Sequence, residues 1–477
     1  MEEEFDFEEG DIEGLVQQFE RTIQQGETKF FDVEEFLSLA DHYMMQLNLD
    51  RAGEVLEMAL TQHPGSTELQ IRKARLWVRK GLLAQSLGWL QALQATESRN
   101  PEIQVLMAEI YSELQEHDRA IQCYHRAIEL ADAQDKEYLY IDLSGEYQNK
   151  GDLDRARFYL RKAISLNPRN DFGYLEYYFL LQMENKIQEG LDFFKGLTDA
   201  DPYNPVAWHY LGLCYQDQEL LEEAIRAYDF VLVIDDQYAD AYFQKAECYM
   251  DLGFFSQALA ALEEAESFYE YKPRLLYMKG ECLEQLHQWE AGLQVYQQAT
   301  RLAPDMTESW IGMAICLQEL GRVKEALAYA EHALALEPDN HHYQLVRAAM
   351  LRDLGRLGDA ETVYIRLLDA EPELLEIYLE MSTLYLKLDD IGQMEASLLK
   401  GLAIDEQSPE LLYRLAATYF YGGKVQQGTH WLHLALDRQF SGYVELFNFI
   451  PELSENTYIT DIIQNHPAYG QDSPFYS

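Results

Sequence analysis

Four cysteines, Cys214, Cys248, Cys282 and Cys316, recur at intervals of 34 residues, and this thiol ladder is the first pattern in the chain that could do chemistry. A metal requires all its thiolates at about 2.3 Å from one centre. Residues one repeat apart in a helical array stand on the order of 10 Å apart, so the spacing predicts four separate helix-packing positions rather than a metal site. His430 and His433 lie three residues apart and His341 adjoins His342, yet neither pair has a third ligand or an acidic base near it in sequence. Asp235, Asp236 and Asp240 lack the central glycine and terminal glutamate of a calcium loop. No phosphate-cradling glycine loop, zinc-protease histidine pair or nucleophile elbow occurs in the sequence. The expectation is a chain that is not an enzyme and that holds no metal or cofactor.

The cysteine interval is the period of the whole chain. Units of 34 residues begin at Val33, Thr67, Pro101, Glu137, Asp171, Pro205, Ala239, Pro273, Thr307, His341, Leu375 and Pro409, with one two-residue insertion between Asp132 and Lys136. That length accommodates two antiparallel helices and two short turns. The eighth position is small in eleven of twelve units, Tyr178 being the exception, and the twentieth is small in eleven, Met394 being the exception. Such positions let two helices close on one another, while the eleventh, always bulky (Tyr43, Trp77, Tyr215, Tyr249, Tyr385, Tyr419), fills the space between them. Prolines at position 32 (Pro64, Pro168, Pro202, Pro304, Pro338, Pro372) end the second helix, and glycines such as Gly151, Gly253, Gly321 and Gly355 end the first.

The sixth unit, with Trp208, Leu211, Gly212, Tyr215, Ala224 and Tyr228, carries the large-small pattern of the tetratricopeptide repeat, and residues 33–442 resemble that family throughout. The resemblance implies an all-α fold, a right-handed α-α superhelix or solenoid of about twelve repeats with a C-terminal capping helix. Residues 1–32 read as an acidic tail and an amphipathic capping helix built on Ile12, Leu15, Val16, Phe19 and Ile23. A sharper reading makes Phe5 and Phe7, set among acids, a tethered ligand for the chain's own groove or a partner's. Residues 443–465 read as a C-terminal cap, and 466–477 as a disordered tail.

In the family, positions two, five, nine and twelve of each first helix line an inner groove. Position five here is apolar or aromatic in eleven units, the exception being His209, and position two is acidic in seven: Glu34, Glu68, Glu102, Asp240, Glu308, Glu376 and Glu410. The candidate partner-binding residues are His209, Phe243, Tyr277, Ile311 and Tyr413 on the apolar ladder, with Glu247 and Glu281 at position nine. Simple packing of position five between neighbouring units is the competing account. The basic clamp with which tetratricopeptide co-chaperones hold a C-terminal carboxylate is not matched, because position five never holds lysine and position nine never holds asparagine.

With 83 acidic against 37 basic residues the formal net charge is -46. Such a surface repels phosphate backbones and anionic headgroups, so the expected partners are proteins, through basic or amphipathic segments, and neither nucleic acid nor membrane. End-to-end self-association is sterically open to a regular rod but opposed by this charge. No apolar stretch reaches the roughly 18 residues of a spanning helix, and the acidic start at Met1 is unlike a secretory signal. With five cysteines in no disulfide pattern, the expected location is cytoplasmic. The resemblance and the groove together imply a scaffold or adaptor, with a holding chaperone or assembly factor as the alternative.

Overall fold

The computed structural model describes residues 9–25, 29–268 and 271–469, which form α-helices, short 3-10 turns and no strand. The acidic segment with Phe5 and Phe7, and the last residues from 470, lie outside the described residues. Two compact units divide the chain, Met1–Ala241 and Tyr242–Ser477.

The first unit opens with α1 (Glu9–Gln25) and continues in helix pairs: α2 (Val33–Met45) with α3 (Leu49–Gln62), α4 (Thr67–Arg79) with α5 (Leu83–Thr96), and α6 (Pro101–Glu113) with α7 (His117–Leu130). Next come α8 (Lys136–Asn149) with α9 (Leu153–Leu166), α10 (Asp171–Met183) with α11 (Ile187–Ala200), and α12 (Pro205–Asp217) with α13 (Leu221–Ile234). Helix α14 (Ala239–Asp251) begins in the first unit and ends in the second. The second unit holds α15 (Phe255–Ala265), then α16 (Lys272–Gln285) with α17 (Trp289–Leu302), α18 (Thr307–Glu319) with α19 (Val323–Leu336), and α20 (His341–Asp353) with α21 (Leu357–Ala370). It closes with α22 (Leu375–Lys387) and α23 (Ile391–Ile404), α24 (Pro409–Tyr421) and α25 (Val425–Arg438), and the short α26 (Val444–Phe449) and α27 (Thr457–Gln464).

First helices start on strong caps. Asp32, Ser66, Asn100, Asn170, Asn204 and Asn340 each accept a backbone N–H of the first turn, and Pro101, Pro205 and Pro409 stand at the first helical position, where their missing N–H costs nothing. All six prolines at position 32 do more than stop a helix. The carbonyl of each accepts a hydrogen bond from the side chain at position four of the next unit: Gln70 to Pro64 (3.1 Å), Tyr174 to Pro168 (3.0 Å), Trp208 to Pro202 (3.0 Å), Trp310 to Pro304 (3.0 Å), Gln344 to Pro338 (2.8 Å) and Tyr378 to Pro372 (2.8 Å). These bonds join the turn to the following helix.

Inside a pair, the ring at position 24 enters the hollow left by position eight. A Cβ on Gly212 would stand 2.5 Å from the Tyr228 ring, and one on Gly280 2.4 Å from that of Tyr296. Tyr296 also meets Gly312 of the next unit, where a Cβ would come within 2.3 Å. In the fifth unit Tyr178 replaces the small residue, and at position twenty a Cβ on Gly190 would come within 2.7 Å of Leu181.

The turn within each unit requires positive φ at position fifteen. Glycine supplies it at Gly81, Gly151, Gly253, Gly321, Gly355 and Gly423, but Leu47, Gln115, Asn185, Glu219, His287 and Asp389 adopt it too, at φ 54–60°.

At the N-terminal end, Phe19 of α1 is wholly buried with Leu15, Val16 and Ile23 packed beside the same cluster. At the other end, residues 466–469 of the expected tail are described: the His466 ring stacks on Phe440 at 5.2 Å, its Nε2 lies 3.2 Å from Asp437, and Tyr469 meets the same phenylalanine edge-on.

Two outcomes follow in urea unfolding. Gly312→Ala should lose about 1–3 kcal/mol by overpacking Tyr296, and Leu47→Gly, which relieves left-handed strain at a side chain that is 79% exposed, should gain about 1 kcal/mol. An unchanged Gly312→Ala variant would contradict the ring-on-glycine contact.

Candidate partner-binding groove

Within each unit, neighbouring first helices pack directly on one another: α2 on α4, α4 on α6 and α10 on α12 in the first, α16 on α18, α18 on α20 and α20 on α22 in the second. Second helices reach the next pair through its first helix, as α7 does through α8 and α17 through α18. Within each unit the first helices therefore carry direct packing from one pair to the next.

The ladder at position five is mostly floor. Ile71, Ile141, His209, Phe243, Ile311, Leu345 and Tyr413 are buried, and the remaining five members are half-buried. Tyr413 is wholly inaccessible, and its hydroxyl donates to the Gln439 carbonyl at 2.8 Å, beneath the C-terminal cap. His209 is 7% exposed, and its ring lies among Tyr210, Tyr228 and Tyr238. Its Nδ1 has no hydrogen-bond partner among the described residues, and burial lowers its pKa to about 4, so it is a neutral packing residue. Phe243 and Ile311, at 3% and 4%, are likewise packing residues. Of the seven candidate residues, only Tyr277, Glu247 and Glu281 reach the surface.

In the second unit these three are brought together on α14 and α16. The Arg274 guanidinium donates to Glu247 Oε1 at 2.8 Å and sits 4.8 Å above the Phe243 ring. The Tyr277 hydroxyl donates to Glu281 Oε1 at 2.7 Å, and that of Tyr296 to Glu284 Oε2 at 3.1 Å. Burial raises the pKa of Glu281 above the ordinary range, opposed by the Tyr277 bond and reinforced by Glu308. Burial also pushes Glu284 up to about 7, against the Tyr296 bond and with Glu281 and Glu319 adding to it. The neighbourhood is acidic, and Glu247 within it is paired with Arg274.

All seven acids at position two are exposed. They occupy one register position on α2, α4, α6, α14, α18, α22 and α24, whereas Tyr138, Phe172, Val206, Arg274 and His342 stand there on the other first helices. The four laddered cysteines are buried, and burial raises all their thiol pKa values, those of Cys248, Cys282 and Cys316 to about 12. Among the described residues no three His, Cys, Asp or Glu side chains are grouped to hold a metal, and no helix is long and apolar enough to cross a membrane.

Exposed aromatic groups lie elsewhere than the ladder suggested. Tyr138 on α8 and Phe172 on α10 occupy position two, and Phe179 on α10 occupies position nine, at 46%, 50% and 50% exposure. The signal was present in the sequence as aromatic letters in columns two and nine.

Sequence models of the tetratricopeptide repeat match residues 101–134, 138–170, 243–307 and 280–351. The chain is 24% identical over 229 residues to anaphase-promoting complex subunit 3 of Schizosaccharomyces pombe, a match covering 47% of this chain and 33% of the relative. A TPR repeat-containing protein of Methanocaldococcus jannaschii is 29% identical over 106 residues, covering 22% of this chain and 33% of the relative. The chain thus spans a third of the length of the curated relatives it matches. Among solved structures, the Cut9–Hcn1 hetero-tetramer of the APC/C aligns over 85% of this chain and 98% of that one, at 14% identity and a TM-score of 0.44. A tetratricopeptide repeat protein from Parabacteroides merdae aligns over 59% and 98%, at 17% identity and a TM-score of 0.42.

The Glu284 carboxyl supplies a pH test. Its folded pKa of about 7 exceeds the ordinary 4.5, so folding takes up a proton between those values and stability declines as pH rises through that window. Glu284→Gln should be more stable than the wild type at pH 8, by at most about 3 kcal/mol, and equal to it at pH 4. The same difference at both pH values would contradict the burial of this carboxyl.

Proposed function

We propose that this chain, which belongs to the tetratricopeptide repeat family, is a protein–protein interaction scaffold that holds basic segments of its partners along the inner faces of its first helices. The observation that carries the reading is the recurrence of exposed carboxylates at position two, on Glu34, Glu68, Glu102, Asp240, Glu308, Glu376 and Glu410. Runs of carboxylate at one register position, on α2, α4 and α6 and again on α22 and α24, meet a linear segment at one spacing, which a globular substrate would not exploit. The half-buried Tyr277 and Glu281 add an apolar and hydrogen-bonding contact beside that row, and the -46 net charge supports steering of cationic partners. That the Schizosaccharomyces pombe relative is a subunit of a multiprotein complex supports an assembly role. The role is non-catalytic: the chain positions other polypeptides.

The triple variant Glu68→Lys, Glu308→Lys and Glu376→Lys alters only exposed side chains and should fold normally by circular dichroism. Its affinity for lysine-rich probe peptides, measured by fluorescence polarisation, should fall by roughly ten-fold or more, and the salt dependence of binding should flatten. Wild-type affinity with an unchanged salt slope would overturn the reading.

A further inference from the structure

Helix α9 stands apart from the rest of an acidic chain. Its sequence sets Arg155, Arg157, Arg161 and Lys162 against one acid, Asp154, whereas every other second helix from α3 to α25, with histidine neutral, carries no net charge or a negative one. Two of these cations are spent on packing. Arg157 is buried and pairs with Glu184 and Glu189, and Arg161 donates to the Tyr177 hydroxyl at 2.8 Å and pairs with Glu189. The other two face solvent. Arg155, Phe158, Lys162 and Leu166 follow at i, i+3, i+7 and i+11, the spacing that places side chains in one row, and all four are exposed, Phe158 by 52% and Leu166 by 48%.

Lys162 is held at the middle of this row by rings. Its Nζ lies 4.7 Å from the Phe158 ring centroid and 5.4 and 5.6 Å from those of Tyr140 and Tyr159. Aromatic faces position an ammonium without cancelling its charge. Acids close by are already taken: Asp154 pairs with Arg157, Asp152 lies 3.4 Å from Arg155, and Glu129 on α7, whose His125 ring meets Tyr159 at 5.7 Å, pairs with Arg126 at 2.6 Å. Neither Lys162 nor Arg169, exposed in the turn after α9, has a carboxylate partner among the described residues. Helix α9 thus presents two uncompensated cations beside two exposed apolar side chains, in a chain of formal charge -46.

The chemistry that complements this face stands in the chain itself. Glu2, Glu3, Glu4, Phe5, Asp6, Phe7 and Glu8 combine five acids and two phenylalanines with no base. Such a segment is repelled by the position-two carboxylates Glu34, Glu68 and Glu102 of the first helices, and attracted by cations set among apolar groups. Phe5 precedes Glu9, where α1 begins, by four residues, a reach of at most about 14 Å. Helix α1 packs on α2 in the first repeat, whereas α9 lies three repeats on, each on the order of 10 Å. The segment that meets α9 therefore comes from another molecule. We propose that the Arg155–Phe158–Lys162–Leu166 face of α9 receives residues 2–8 of a second copy of this chain, its phenylalanines against Phe158 and Leu166 and its carboxylates on Lys162 and Arg169. Repulsion between the two acidic molecules is screened beyond about 8 Å at physiological ionic strength, so this local pairing decides the contact. It uses a second helix and the opposite charge sign, and is independent of the row that takes basic segments.

The test uses the full chain in two forms besides the wild type: a seat variant, Lys162→Glu with Phe158→Ser, and a tail variant, Phe5→Ser with Phe7→Ser. All four substitutions change residues that are exposed or outside the described helices, and both forms should fold normally by circular dichroism. In sedimentation velocity at about 0.15 M salt the wild type should associate as its concentration rises, and each variant alone should stay monomeric. Mixing the two variants should restore association, because one keeps the seat and the other keeps the tail. In fluorescence polarisation a labelled peptide of residues 1–12 should bind the wild-type chain roughly ten-fold or more tightly than it binds the seat variant, and than the same peptide with both phenylalanines changed to serine binds the wild type. A wild-type chain that remains monomeric, association that survives in either variant, a mixture that fails to associate, or equal binding of the two peptides would overturn the proposal.

Discussion

The structure depends on how closely the two helices of a unit approach. A ring from the second helix enters a hollow on the first, and the hollow exists only where position eight carries little or no side chain. Tyr228 on Gly212 and Tyr296 between Gly280 and Gly312 show the contact at its tightest, with no room for even one added carbon. Tyr296 also reaches the following unit, so one side chain fixes both the pair and its successor. A helix pair this small cannot bury its faces by itself, and stability accumulates only through such neighbour contacts.

That constraint explains why so much of the fold was legible. Small letters at positions eight and twenty recur because close helix approach disfavours bulk there, Tyr178 and Met394 being the two exceptions, and a period of 34 is therefore written into the sequence. The proline carbonyls were half-legible: the sequence shows the prolines, whereas the donors at position four are Gln, Tyr or Trp, residue types with nothing in common except a side-chain N–H or O–H at the right reach. The left-handed turn at position fifteen was legible only where it is glycine. Leu47 and Glu219 adopt the same backbone because the pair imposes it, and no local letter announces that.

The candidate site was less legible, for a physical reason. Periodicity says which face a residue shares but not how deep the neighbouring unit covers it. Phe243, Ile311 and His209 stand in the right column and are covered by the next helix pair or the adjacent rings; Tyr413 is covered by a cap whose packing the repeat pattern does not describe. Tyr277 is only half-buried, and its hydroxyl donates to Glu281. At position two the acids and Phe172, and at position nine Phe179, are exposed, although Val206 and Ala417 in the same columns are buried.

Binding at the inner surface is the central claim, and site-directed photocrosslinking tests it most directly. A benzophenone side chain placed at Phe179 on a first helix should form adducts with bound polypeptides, and the same group at Leu302, 59% exposed on the second helix α17, should not. Adducts from Leu302 with none from Phe179 would place the partners on the outer surface and contradict the account.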